Sequence, residues 1–277
     1  YLANEVFEQL DHETREFLLS TSVLRVMSPE LCNALTGRRD SSAILEQLED
    51  RNLFTTRVER GKEVWYRYHR LFREFLLSRL RERSPSQEIA LHVRAARRLE
   101  EAGDPTEAIL HYIEAGAHQD AARTIVQIAA ETYDAGRLDT LLHWIDSLPE
   151  ETMRQNPSLA WFKAKILWNR DELDRSLSYA DKARDEFARL RNKIGVAQSL
   201  IEKGAVLRLK GRFQEAIEAC REALAQLEGE KLAGSDRGVL AGIHRNIGIC
   251  RCHMGDISLG IEEMRKALKL YEEVGYR

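Results

Sequence analysis

The 277-residue chain predicts a mainly α fold: a winged-helix module followed by an α-solenoid of tetratricopeptide-like helical hairpins. Three observations predict it. From residue 89 onward apolar residues recur at helical spacing, with short polar breaks. A frame of small residues repeats along that stretch. Residues 1–83 instead alternate short helical patterns with one pair of strand-like runs. With 5 Pro and 16 Gly, the chain is poor in the residues that punctuate β-rich proteins.

Within residues 1–83, the stretch 13–24 carries Phe17, Leu18 and Leu19 on one apolar face. Ser28-Pro29-Glu30 opens a helix: Ser at the N-cap, Pro at the first helical position, an acid in the first turn. That helix runs through Leu31 and Leu35 and stops at Gly37. Ser41 or Ser42 caps the next, with a stripe of Ile44, Leu45 and Leu48. Residues 53–58 form a strand, 59–63 a turn around Gly61, and 64–68 the returning strand. A last helix runs through Leu71, Phe72, Phe75, Leu76 and Leu80. Ser84-Pro85-Ser86-Gln87 is the joint, because Pro85 turns Ser84 away from helix. The division is 1–83 for the winged helix, 84–146 for a helical arm with the first repeats, and 147–277 for the sensor repeats.

The repeat frame is clearest where Gly204, Gly211, Ala216 and Ala223 align with Gly248, Gly255, Gly260 and Ala267. Ala164 (with Asp171, Ser176, Ala183) and Ala96 (with Gly103, Ala108, Ala115) fit the same offsets, and Ala129 (with Gly136, Leu141, Leu148) fits loosely. Small residues belong there because two antiparallel helices pack closely at those points. The frame predicts five helical hairpins. An enlarged loop, 232–238, separates the last two. The array stops without a polar capping helix, and Tyr1 stands where an initiating Met would. The chain therefore reads as a piece of a longer protein.

In such arrays the first helix of each pair lines a concave wall, at positions 2, 5, 9 and 12 of the repeat. These positions hold Trp161, Lys165 and Trp168 in the third unit, Tyr133 in the second, Arg208 in the fourth and Arg245 in the fifth. Aromatic anchors beside cations suit a peptide or a flat, anionic small molecule.

Composition narrows the function classes. Lys plus Arg is 42, Asp plus Glu is 45, and the net charge is −3, which calls for neither nucleic acid nor an anionic membrane. Residues 1–83 hold equal numbers of basic and acidic residues. The second helix of their helix-turn-helix carries Glu46, Glu49 and Asp50 where a DNA reader is basic or polar. Direct DNA binding by this module is disfavoured. No apolar run reaches the length of a membrane span. Cys32, Cys220, Cys250 and Cys252 form no paired or zinc-ligand spacing, even with His244 and His253 nearby; they read as core residues of a reducing cytosol. No P-loop and no nucleophile–base set occurs, and Glu150-Glu151 and Glu262-Glu263 are solvated helix faces. No enzyme activity, metal or cofactor is expected in this chain.

The stretches YLANEVFEQL, REFLLSTSVL, PELCNALTG, ILEQLEDRNLF and above all WYRYHRLFREFL resemble the region after the ATPase module of MalT-like, LuxR-type regulators. These belong to the signal-transduction ATPases with numerous domains. The resemblance implies an upstream ADP/ATP-binding module, a winged helix, a helical arm and a tetratricopeptide sensor that binds an inducer (peptide, protein or small molecule). It implies a cytoplasmic transcription regulator. Tyr68-His69-Arg70-Leu71 is similar to the Met-His-Asp motif of related ATPases. By that likeness His69 contacts the ADP phosphate and holds the resting state, with Arg67 and Arg70 beside it. Tyr and Arg replace the family's Met and Asp here. The competing reading is a plain adaptor, a repeat scaffold for a partner peptide with no nucleotide switch.

Overall fold

The computed structural model describes residues 2–60, 63–232, 234 and 236–275. Among them are sixteen helices and one two-stranded sheet. The chain divides into two compact units, Tyr1–Thr124 and Ile125–Arg277.

The first unit opens with α1 (Leu2–Glu8), α2 (His12–Thr21), α3 (Pro29–Thr36) and α4 (Ser41–Asp50). Local sequence explains α3 almost completely. Ser28 Oγ accepts from Leu31 N at 3.2 Å, Pro29 begins the helix, and Gly37 ends it at φ 75°. Asp11 caps α2 by accepting from Thr14 N at 2.9 Å. The expected serine cap of α4 is absent: Ser41 is already helical, and Asp40 at the cap position makes no side-chain cap bond. Asp40 is held instead by Arg38, whose Nε donates to it at 2.8 Å.

Strand β1 (Thr55–Arg60) pairs antiparallel with β2 (Glu63–Tyr68), Thr55 facing Tyr68 and Val58 facing Trp65. The expected turn centres on Gly61 and Lys62, which lie outside the described residues. The first strand starts two residues later than the sequence predicts. Asn52 and Phe54 adopt left-handed backbone, at φ 53° and 52°. That departure puts the Phe54 ring against Phe72, with centroids 4.8 Å apart. A third pairing was not legible in the sequence: Met27 and Tyr66 exchange backbone hydrogen bonds at 2.8 Å each way.

Helix α5 (Arg70–Arg83) buries Phe72, Leu76 and Leu80. Leu71 lies on this helix as expected but stays 66% exposed, because the buried stripe begins one residue on. Arg73 clamps the module: its Nε reaches the carbonyls of Ser22 and Leu24, both at 3.0 Å. These are carbonyls just beyond α2 that no helix turn satisfies.

The joint at Ser84 is one residue wide. Ser84 is extended and its Oγ accepts from Gln87 N at 3.3 Å, while Pro85 is the first residue of α6 (Pro85–Glu101). Pro85 starts a helix here rather than a linker. Helix α6 packs on α3 and α5, with Arg94 donating to the Leu35 carbonyl at 2.6 Å. It pairs with α7 (Pro105–Glu114), and the two share Glu100, which accepts from Tyr112 Oη at 2.7 Å and from Thr124 Oγ1 at 2.6 Å. Arg123 adds two bonds at 3.1 Å. Burial works against ionisation of Glu100, but these donors outweigh it and bring its pKa down to about 2.

The unit Ile125–Arg277 takes up the rest of α8 (His118–Asp134), then α9 (Leu138–Asp146), the short α10 (Glu150–Gln155), and three long hairpins. These are α11 (Pro157–Asn169) with α12 (Leu173–Arg189), α13 (Lys193–Leu209) with α14 (Phe213–Leu227), and α15 (Asp236–His253) with α16 (Ile257–Glu273). The frame of small residues marks the crossing of each pair. Ser176 Oγ donates to the Ala164 carbonyl at 2.8 Å. A Cβ on Gly204 would lie 3.3 Å from the Ala216 carbonyl oxygen, and one on Gly248 would lie 2.9 Å from that of Gly260. The residue seven places after each first small residue turns the chain in left-handed backbone: Gly211 at φ 73°, and Asp171 at φ 61° where the third unit lacks glycine. The expected loop at 232–238 ends earlier than predicted, since α15 begins at Asp236; Ala233 and Ser235 lie outside the described residues.

Candidate functional site

Two regions gather the predicted site residues. The first is the end of β2. Strand alternation buries Tyr66 and Tyr68 and turns Arg67 to solvent. Tyr68 is anchored by a 2.7 Å hydrogen bond between its hydroxyl and Thr21 Oγ1. Its neighbour His69 is exposed at the N-cap position of α5, where its side chain makes no cap bond, while its backbone N donates to the Phe54 carbonyl at 2.6 Å. The first turn of α5 holds no acid. Arg70 is exposed and its Nε donates to Glu74 at 2.9 Å. An open helix N-terminus with an imidazole and two guanidinium groups is suited to a phosphate.

The second region is a cavity of about 630 Å³ in the unit Ile125–Arg277. Helix α11 supplies Trp161 and Lys165, α13 supplies Gln198, Ile201 and Glu202, and α15 supplies Val239 and Arg245. Leu268 and Tyr271 of α16 close one side. Glycines at 238 and 242 leave the α15 wall low.

Lys165 is the electrostatic centre of this site. Its Nζ lies 4.1 Å from the ring centroid of Tyr133 and 4.7 Å from that of Trp161. Burial pulls the Lys165 ammonium below the ordinary lysine value, with Glu202 and then Asp134 opposing. Burial likewise pushes the Glu202 carboxyl above its ordinary value, with Lys165 and then Arg245 opposing. The Trp161 Nε1 is enclosed and has no hydrogen-bond acceptor.

The structure therefore brings Trp161, Lys165 and Arg245 to one cavity and Tyr133 beneath Lys165. It does not bring Trp168 or Arg208 there. Both are half-buried, with Trp168 Nε1 and Arg208 Nε enclosed and unbonded. Position 12 lies a helical turn beyond the level at which the cavity opens. Sequence reasoning missed Glu202, Leu268 and Tyr271. The apolar stripe Met264, Leu268, Tyr271 on the last helix was the available signal for two of them; Glu202 gave none.

The cysteine and histidine cluster near residue 250 is spoken for by packing. Cys220 and Cys250 are buried, His244 Nδ1 pairs with Glu263 at 2.6 Å, and His253 stacks on Phe213 at 5.0 Å. Among the described residues, no three His, Cys, Asp or Glu side chains are grouped to hold a metal ion. No described helix is long and apolar enough to cross a membrane.

Residues 3–88 match the family model of the MalT winged helix domain. The HTH-type transcriptional regulator MalT of Vibrio parahaemolyticus is 31% identical over 233 residues, covering 82% of this chain and 26% of that protein. MalT of Vibrio cholerae is 32% identical over 235 residues, with the same coverage. The chain thus spans about a quarter of the length of the curated relatives it matches. Among solved structures, a signal transduction ATPase with numerous domains carrying a tetratricopeptide repeat sensor, from Pyrococcus horikoshii, covers 99% of this chain and 46% of its own at TM-score 0.47 and 17% identity. Matching sequence and observed elements agree on one statement: this is a MalT-like chain, in which a MalT-type winged helix domain leads into tetratricopeptide-like hairpins.

Proposed function

We propose that the chain is the regulatory and inducer-sensing part of a cytoplasmic transcription regulator of the signal-transduction ATPase class. Its role in this reading is binding and coupling rather than catalysis. The observation that carries it is the extent of the MalT likeness, which runs past the winged helix and covers 82% of the chain. In this reading the end of β2 faces the nucleotide of an ATPase module elsewhere in the protein, His69 contacts the ADP phosphate, and Arg67 and Arg70 assist. The exposure of all three side chains supports the reading, with Arg70 held only by a surface pair with Glu74. The inducer occupies the cavity around Trp161, Lys165 and Arg245. It acts by binding the open form more tightly than the resting one; moving the balance from 1:99 to 99:1 takes about 5.5 kcal/mol of such preference.

The test uses the whole regulator. His69→Ala removes one phosphate contact, so bound ADP should dissociate about tenfold faster, and basal transcription of a target promoter should rise. His69→Gln, which keeps a donor, should fall between. ADP release at the wild-type rate in both variants would remove His69 from the nucleotide site. An adaptor without a switch would show no bound ADP at all.

A further inference from the structure

We propose that the cavity of the Ile125–Arg277 unit takes a small amphipathic monoanion: a flat apolar body bearing one carboxylate or sulfonate-type group. This rests on the reading of that cavity as the inducer site and specifies its ligand class.

Charge points to the anion. The cavity holds two cations, Lys165 and Arg245, against one carboxylate, Glu202. Lys165 is spent internally. Its ammonium sits among the rings of Tyr133, Trp161 and Phe162, at 4.1, 4.7 and 5.7 Å, with Glu202 and then Asp134 the carboxylates that favour its charge. Arg245 is exposed on α15 and hydrogen-bonds to no carboxylate among the described residues. Its guanidinium feels Glu202 without a hydrogen bond to it, and its planar fork stays open to two anion oxygens.

Shape points to the flat body. Trp161, Ile201, Val239 and Leu268 give the cavity its apolar lining. On the α15 side, Gly238 and Gly242 lie one turn apart. A Cβ on Gly238 would meet nothing within 4 Å, and one on Gly242 would touch Ile201 at 3.7 Å and Tyr271 Oη at 4.0 Å, both ordinary contacts. The missing side chain lets a planar group approach the α15 backbone at Gly238, beside Gly242, which Ile201 and Tyr271 cover. A volume of about 630 Å³ suits a small molecule rather than an extended chain.

The probes are anilinonaphthalene sulfonate and its uncharged parent, phenylnaphthylamine, titrated into the chain and followed by dye emission and energy transfer from tryptophan. The sulfonate should bind about tenfold more tightly than the neutral dye. Arg245→Gln should abolish that preference and leave the neutral dye unchanged. Gly242→Leu, which fills the cavity, should weaken both, with circular dichroism confirming that the variants fold. Equal affinity for the two dyes, a preference that survives Arg245→Gln, or no binding of either dye would overturn the anionic class. If both dyes bind and are lost in Gly242→Leu yet ignore Arg245, the cavity stands as a ligand site and only its charge assignment fails. If Gly242→Leu affects neither dye, they sit on other apolar surface, and the cavity reading fails with the proposal.

Discussion

Gly260→Val is expected to destabilise the Ile125–Arg277 unit by about 3 kcal/mol, at the upper end for overpacking a tight contact. Helices α15 and α16 cross there backbone to backbone. A Cβ on Gly260 would run into Cys252 Sγ, which can rotate away, and into the Gly248 carbonyl oxygen at 2.9 Å, which cannot. Relief therefore means separating the helices. The same variant should weaken any ligand of the cavity, because α16 carries the Leu268 and Tyr271 wall. Gly238→Ala is the internal contrast. It lies on the same α15, meets nothing within 4 Å, and should gain up to about 1 kcal/mol from helix propensity alone. Urea midpoints of the two variants should move in opposite directions. Equal and small shifts would mean that the crossing at Gly248 and Gly260 is looser than its geometry indicates.

Acidification from pH 7 to pH 5 is expected to cost the Tyr1–Thr124 unit about 2 to 3 kcal/mol. The source is a buried histidine pair between α6 and α7. His92 and His111 are each only 5% exposed, and their Nδ1 atoms are 2.9 Å apart, so one donates to the other in the neutral form. Burial lowers the His111 pKa to about 3, with His92, Arg25 and Arg73 adding to it. Burial also lowers that of His92, with Glu114 and Glu88 opposing and Arg73 and Arg81 assisting. Both folded values lie below that of an unfolded histidine, near 6.5. The unfolded chain therefore binds the extra protons. The stabilisation is complete above about pH 6.5 and is lost as the pH falls below it, at up to ~1.4 kcal/mol per pH unit for each histidine. His111→Gln keeps a polar partner for His92 and should roughly halve the slope. A urea midpoint that is the same at pH 7 and pH 5 would show that the pair already exchanges protons in the folded state.

Much of this was legible because it is local. The Ser28-Pro29 start and Gly37 stop of α3 are properties of a few consecutive residues, and the structure reproduces them. The crossing points of the hairpins were legible too, because close helix packing tolerates only small residues at fixed offsets. Gly248 with Gly260 and Ala164 with Ser176 lie where the frame put them. Local reasoning failed where a distant partner set the outcome. Phe54 leaves the strand because Phe72 offers it a stacking surface.

The candidate cavity divides the same way. Helical periodicity places Trp161, Lys165 and Arg245 on inward faces, so the sequence by itself determined which side of each helix looks into the array. It could not determine at what height that array opens. Height depends on how deep neighbouring helices approach, and here on Gly242 of α15, which faces Ile201 and Tyr271 from other helices. The tertiary structure alone decided that Trp168 and Arg208 fall outside the cavity and that Glu202, Leu268 and Tyr271 fall within it. The physical reason is that periodicity fixes an angle around one helix axis, whereas a binding site is the space left when several axes have settled against one another.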